Sequence, residues 1–423
     1  MDSVFFRNLN SKKICIYFLL FYILFMPNLS FISPLLKNSI LLVIFDLCFL
    51  CFFRKKIVTL FKKSEIYINL ILLCGINILT LILTLLNHIS ISNNLTSVVF
   101  CLKTIYIFGL YLLVDECYQS PEEKIDVLLN VGFIQGIICI VMLIFPAAKN
   151  IANTLYISNV SNYYDSPVVG IVVHRIYGIC GDYTFDMSFL MALLASISII
   201  IFLNNMQKKY VVLSCVMIVG SILNGRTGFL LFLVVFLISA YCLLSKKEFI
   251  KGFFIFVVFL SGIILAVHFF MGDYWLNWFA ISFKEIFMSI FNNQSQTTIS
   301  TLKTKTFFPS GVNLIFGFGS RVFGDFGNSL VGISSDIGYI NDLWRGGVIY
   351  SIVVYANILW LMKKVYLNDF TFTKKVNKCF IFAFVVYLFV GNYKGEAISG
   401  SSILIAFLYF LFIIFDKSNI NAN

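Results

Sequence analysis

Phe185 to Leu203 reads FDMSFLMALLASISIIIFL, nineteen residues with one charge, Asp186, next to its start. At 1.5 Å per residue such a run, wound as a helix, covers about 28 Å, close to the hydrocarbon thickness of a bilayer. The backbone polar groups of a helix are satisfied within the helix, so this segment can sit in lipid. Similar runs recur on both sides of it. Spans are expected at about 14–32, 38–53, 66–86, 96–114, 125–145, 185–203, 211–225, 227–244, 252–271, 346–362, 379–392 and 402–415. The composition of the 423 residues agrees, with 60% hydrophobic and 12% charged residues, where soluble domains carry about 25% charged. The expected fold is an all-α polytopic membrane protein with about 12 transmembrane helices and one large external loop containing an amphipathic helix. Residues 1–271 hold the first nine spans, 272–345 the loop, and 346–423 the last three spans and the C-terminal segment.

Lysine and arginine concentrate on the cytoplasmic side of membrane proteins. With the N-terminus inside, the inner segments hold 20 of the 31 basic residues, clustered at Lys12–Lys13, Arg54–Lys56, Lys62–Lys63, Lys246–Lys251 and Lys363–Lys378. Both termini are therefore expected in the cytoplasm, and the long loop outside. The net charge of +11 follows from these flanking lysines, so nucleic-acid binding is not expected. The basic start MDSVFFRNLNSKK precedes an apolar run with no small-residue cleavage site after it, which reads as a retained first span. Of the eleven cysteines, all except Cys117 and Cys180 fall in or beside apolar runs, so neither a disulfide framework nor a metal site is expected. There is no Walker loop, dinucleotide fingerprint or zinc spacing, and no cofactor is expected. His88, His174 and His268 are isolated.

Arginine is distributed differently from lysine. Of six, Arg7 and Arg54 lie inside, whereas Arg175, Arg226, Arg321 and Arg345 lie outside or at span ends facing outward. A guanidinium holds phosphate oxygens with a planar fork of donors that lysine lacks. Snorkelling and loop ion pairs are the plainer alternative for any one of them; four on one face favours a shared anionic ligand.

Arg175 opens HRIYGICGDYTFD, where Gly178 and Gly181 permit close backbone approach or a sharp turn, and Asp182 and Asp186 are candidate caps for the next span. Arg226 lies in NGRTGF, between two apolar runs too close to leave a real loop. An uncompensated charge at that depth costs about 2.5–3.5 kcal/mol, so Arg226 needs a partner or a wet cavity. The long loop opens with an amphipathic pattern, Tyr274 to Phe291, whose Trp275, Trp278, Phe279, Phe283, Ile286, Phe287 and Ile290 share one face. It closes with GFGSRVFGDFGNSLVGISSDIGYINDLWRGG, Gly317 to Gly347, which brings Arg321, Asp325, Asp336, Tyr339, Asp342 and Arg345 to the tenth span. Asp46 and Lys103 fall well inside the second and fourth spans and are candidates for a cavity or for pairing with each other.

Arg175 with GICGD, the NGRTG at Arg226, and FGFGS followed by SDIGYINDLWRGG resemble, in chain order, the polymerases of lipid-linked repeat units. These are the Wzy-type O-antigen or capsule polymerases, related to the O-antigen ligases. The architecture matches over nearly the whole chain. Ligases of this group carry a histidine in the large loop before the next span; here that position reads Ser335–Asp336, and the loop has no histidine. The resemblance implies transfer of a glycan from undecaprenyl diphosphate to a hydroxyl of an incoming lipid-linked repeat unit, without a metal, on the outer face of the bacterial inner membrane. It implies Arg226 and Arg175 as a diphosphate clamp, Asp336 as orienter or base, and Arg321, Arg345, Tyr339, Gly317 and Gly319 as substrate-binding residues. The implied partners are membrane lipid, lipid-linked glycans, a chain-length regulator and a flippase. A ligase, a lipid-linked glycan flippase or transporter, and a non-catalytic assembly scaffold are the rival readings.

Overall fold

The computed structural model describes residues 9–27, 38–63, 66–89, 95–156, 175–176, 178–180, 185–245, 247–248, 261–262, 304–322, 332, 334–367 and 372–398. Among them the chain is helical and contains no strand. The helices are α1 (Leu9–Phe25), α2 (Asn38–Lys63), α3 (Ile66–Leu86), α4 (Leu95–Cys117), α5 (Pro121–Ile144), α6 (Pro146–Tyr156), α7 (Phe185–Asn205), α8 (Lys208–Asn224), α9 (Arg226–Leu243), α10 (Val312–Phe316), α11 (Gly338–Leu367) and α12 (Lys374–Val385). A π-helical turn (Val386–Val390) and α13 (Gly391–Lys394) follow α12. Five described helical segments are long and apolar enough to cross a membrane: Ser97–Cys117, Pro121–Ile144, Met187–Asn205, Gly338–Leu367 and Lys374–Lys394. The expected span at 252–271 except for 261–262, the span at 402–415, and the amphipathic helix at Tyr274–Phe291 lie outside the described residues.

The helix that begins at Phe185 is the centre of the bundle. From Met187 to Ile201 nearly every apolar side chain of α7 is buried, because helices surround it on all sides. Serines on α7 and on the neighbouring α8 let the two helices come close and then bond them, the packing device of membrane helices. Ser221 Oγ donates to the Ser188 carbonyl (2.8 Å), Ser214 Oγ to that of Ala195 (3.0 Å) and Ser198 Oγ to that of Tyr210 (2.8 Å). These bonds run antiparallel and lock α8 along α7. On its other side α8 meets α5 through Gly132 and Gly136, where a Cβ would come within 2.7 Å of Met217 Sδ and 2.8 Å of the Val216 carbonyl.

Ion pairs gather at the two ends of the bundle. At one end Lys56 and Lys12 meet Glu116 (2.7 and 3.5 Å), Lys209 meets Asp126 (2.6 Å), and Lys124 meets Asp115. At the other, Lys305 meets Asp336 (2.6 Å) and Arg321 meets Glu396 (3.1 Å). Segments expected on the same side of the membrane thus pair with one another, and none of these pairs mixes the two sets.

Several sequence expectations are corrected. The first helix runs Leu9–Phe25 rather than 14–32, and α2 continues to Lys63. The stretch ahead of the tenth span, read as loop to residue 345, is helical from Gly338. It can be helical there because its polar groups are buried against partners: Asn341 and Asp342 are both inaccessible to solvent. The helix breaks direction at Gly347, where φ is +68°. The Asp46–Lys103 pair is not made. Asp46 is 3% exposed and neither carboxylate oxygen has a hydrogen-bond partner; its surroundings are aromatic, with Tyr106 packed edge-on to Phe45 and Phe49.

Candidate functional site

The α8–α9 hairpin turns on a single residue. Gly225 is at once the C-cap of α8 and the N-cap of α9, in extended conformation, and makes no side-chain cap bond to α9. Ser188 Oγ donates to its carbonyl (2.6 Å), and a Cβ on Gly228 would lie 2.4 Å from the Ser188 carbonyl. NGRTG is thus a sequence for pressing a helix reversal against the start of α7. Arg226 is the first residue of α9; its side chain lies outside the described residues. The Arg175 segment arrives at the same place, for the Ile176 N–H donates to the Leu223 carbonyl (3.0 Å). Gln135 of α5 holds this segment from below, accepting from Ile179 N–H and donating to its carbonyl (both 3.3 Å). Gly178, at φ +62°, leaves room for that amide: a Cβ would meet Gln135 Nε2 at 2.7 Å. The backbone segment that carries Arg175 therefore packs against the end of α8, three residues before Arg226. Arg175 is partly buried there; His174, Gly181, Asp182 and the Asp186 side chain lie outside the described residues.

One step away lies a second cluster. Phe189, next to Ser188, approaches Gly391, where a Cβ would be 3.0 Å from its ring. Asn392 then reaches α11, its Nδ2 donating to Asp342 Oδ2 (3.1 Å) while Tyr355 OH donates to the same oxygen (2.5 Å). Tyr339 OH donates to the Phe389 carbonyl (2.6 Å) inside the π-helical turn. π turns leave carbonyls without their usual helical partner, and Tyr339 satisfies this one.

Beside this network Arg345 is 1% exposed and Glu396 4%. Glu396 Oε2 is 3.1 Å from Arg321 Nη1 and 3.9 Å from Arg345 Nη2, so one carboxylate oxygen faces two guanidinium groups. Glu396 Oε1 has no hydrogen-bond partner, and neither do Arg345 Nε and Nη2. Arg345 also lies beside Tyr350. Spare donors on an enclosed guanidinium, beside a carboxylate with a spare acceptor, form a site that is charge-paired and hydrogen-bond deficient. Such an arrangement is costly unless another group completes it. No family model, curated protein or solved structure matches the chain. The chemistry of the cluster has to be read from its own atoms: unused guanidinium donors beside one carboxylate match the acceptor oxygens of an oxyanion in type.

Other expected site residues have plainer surroundings. Gly317 (φ +80°) and Gly319 (φ +84°) do allow close approach, but what approaches is protein backbone. A Cβ would lie 2.4 Å from Gly346 Cα and 2.3 Å from the Thr84 nitrogen, respectively. The 317–319 strip runs against Trp344 and Arg345, with Phe318 N–H donating to the Trp344 carbonyl (2.6 Å) and Gly319 N–H to the Arg345 carbonyl (3.0 Å). Thr84 and Asn87 at the end of α3 clasp its other side, donating to the carbonyls of Gly319 (2.5 Å) and Phe318 (3.0 Å). These glycines hold the 317–319 strip against the Trp344–Arg345 backbone and the end of α3. Asp336 is partly exposed and its carboxylate is engaged by Lys305 (2.6 Å). Asp325 lies outside the described residues. Glu396 was not singled out in sequence, and its only signal was to be an acidic residue in a short segment between two expected spans.

Proposed function

We propose that this chain is a membrane glycosyltransferase that joins undecaprenyl-diphosphate-linked repeat units of a bacterial surface polysaccharide. In this reading it is a twelve-span protein of the inner membrane with both termini in the cytoplasm and the large loop outside. The observation that carries the reading is the convergence of the arginines that the sequence expects on the outer face. The Arg175 segment meets the α8–α9 reversal that carries Arg226, and Arg321 and Arg345 meet at Glu396, which follows the Gly391 turn packed against Phe189, the neighbour of Ser188.

In the proposed reaction the acceptor hydroxyl attacks the anomeric carbon of the growing chain and gives up its proton. The bond from that carbon to the diphosphate oxygen breaks, and undecaprenyl diphosphate leaves with the electron pair. The protein's task is to place two lipids and stabilise the charge that develops on the leaving oxygen. Arg226 and Arg175 clamp the diphosphate. Arg345, with unfilled donors, and Arg321 complete its coordination, with Glu396 holding their charge in the empty site. Asp336, tethered to Lys305, belongs with the loop that covers the acceptor, and Tyr339 holds the π-helical turn on which the cluster rests. The chain-length regulator and flippase remain proposed partners of the same route.

A deletion strain separates this reading from its rivals on a lipopolysaccharide or capsule gel. Loss of a polymerase leaves a single repeat unit attached to its final acceptor. Loss of a ligase strands polymer on its carrier, and loss of a flippase blocks export. Normal long chains in the deletion strain would exclude the proposal.

A further inference from the structure

Asp46, in α2, has no part in the glycan reading and shares no contact with the arginine cluster among the described residues. It is 3% exposed, and neither carboxylate oxygen has a hydrogen-bond partner. Leu42, Asp46 and Phe49 recur at helical spacing and form a buried face of α2, whereas Val43, Ile44, Leu47 and Leu50 are exposed. That face lies on α4, where Gly109 has no room for a Cβ beside the Phe49 ring. Towards α1, the Tyr22 ring meets Phe45 edge-on at 5.4 Å. The titratable groups around Asp46 do not answer its charge. Tyr106 of α4 lies in electrostatic range of Asp46 and of Tyr22 and Cys15 on α1, and its hydroxyl donates to the Leu19 carbonyl (3.0 Å). Lys103 of α4 is buried but is not the partner of either carboxylate oxygen. On α2 itself, Cys48 and Cys51 are exposed, and the next charge is Arg54, about 12 Å along the helix axis.

A carboxylate in this place has given up its water and received no donor in exchange, and an unpartnered buried charge is the costliest form an aspartate can take. A hard cation would need several further oxygen donors, where Phe45, Phe49 and Tyr106 present aromatic rings. A proton needs none. We propose that Asp46 is a proton-binding site enclosed by α1, α2 and α4 and occupied in the resting protein. The carboxylate takes one proton from water and forms one O–H bond, with no other bond made or broken. Release of the proton leaves a charge that regains water only if α2 withdraws from α1 and α4, so proton binding and the packing of these three helices are linked. An acidic residue kept at such a position without a partner is expected where its change of charge is used.

The test uses the full chain in lipid nanodiscs. At neutral pH, infrared difference spectra of the wild type against Asp46→Asn and against Asp46→Leu should both show the C=O stretch of a protonated carboxyl in the wild type. A difference confined to carboxylate bands would overturn the proposal. Thermal unfolding gives a second readout. The folded chain holds a proton that the unfolded chain releases above about pH 4, so this site should make wild-type stability fall as pH rises. D46L lacks that contribution. It should unfold at a higher temperature than the wild type at neutral pH, with the gap narrowing as the pH is lowered. Parallel pH profiles would overturn the proposal, as would two neutral variants that both fold less well than the wild type at neutral pH. Sodium ions that stabilise the wild type but not D46L at fixed pH would overturn it in favour of a cation.

Discussion

Glu396→Gln should be among the most damaging single changes in the molecule. Glutamine keeps the shape but removes the one carboxylate among the described residues in ion-pair range of both Arg321 and Arg345, leaving Arg345, 1% exposed, as a buried charge without that partner. Breaking a buried pair in this way costs about 3–5 kcal/mol, and thermal unfolding in detergent reads the loss. The same variant distinguishes a structural ion pair from an anion site. If the cluster receives a diphosphate, inorganic pyrophosphate supplies the missing negative charge and should restore more stability to E396Q than it adds to the wild type. A loss of stability that pyrophosphate leaves untouched would make Glu396 a structural residue alone.

Arg226→Lys should give the second large effect, this time on activity. The substitution keeps the positive charge at the first residue of α9 but replaces a bidentate fork with a point charge. An interaction that strengthens as charge develops on the leaving diphosphate contributes about a hundredfold or more to rate. The prediction is therefore a fall of that order in kcat for polymerisation, with the protein inserted at normal levels and donor KM little changed. Full activity in R226K would remove the clamp from the account. A rise in KM alone would assign Arg226 to ground-state binding.

The apolar helices were legible from length alone, as the match of Phe185–Leu203 to α7 and of residues 227–244 to α9 illustrates. NGRTG was legible as a tight reversal because two spans flank it so closely. What the glycines of 317–319 and 345–347 meet was not legible. Sequence shows that backbone must come close, but not that it comes from α3 and from the glycines' own counterparts. Glu396 stayed hidden for a similar reason. Its partner Arg321 is 75 positions away, and no local periodicity records a contact of that separation. The start of α11 was placed in the large loop as part of its glycine-rich return to the tenth span. Asn341 and Asp342 are both buried, with Asn341 bonding the 335–337 backbone and the Val322 N–H, so polarity there reports a partner instead of solvent. Asp46, read as a candidate for a cavity or for pairing with Lys103, is buried with neither carboxylate oxygen hydrogen-bonded.

The central claim is that the arginine-lined end of this bundle transfers glycan between lipid diphosphates. Its most direct test is reconstitution. The purified chain is placed in liposomes with lipid-linked repeat units extracted from the deletion strain, and the products are sized by mass spectrometry. The account predicts a ladder of whole repeats on one lipid, with one undecaprenyl diphosphate released for each repeat added, and its loss in R226K. Repeat units that stay single, although the inserted protein is folded and both lipids are present, would contradict it.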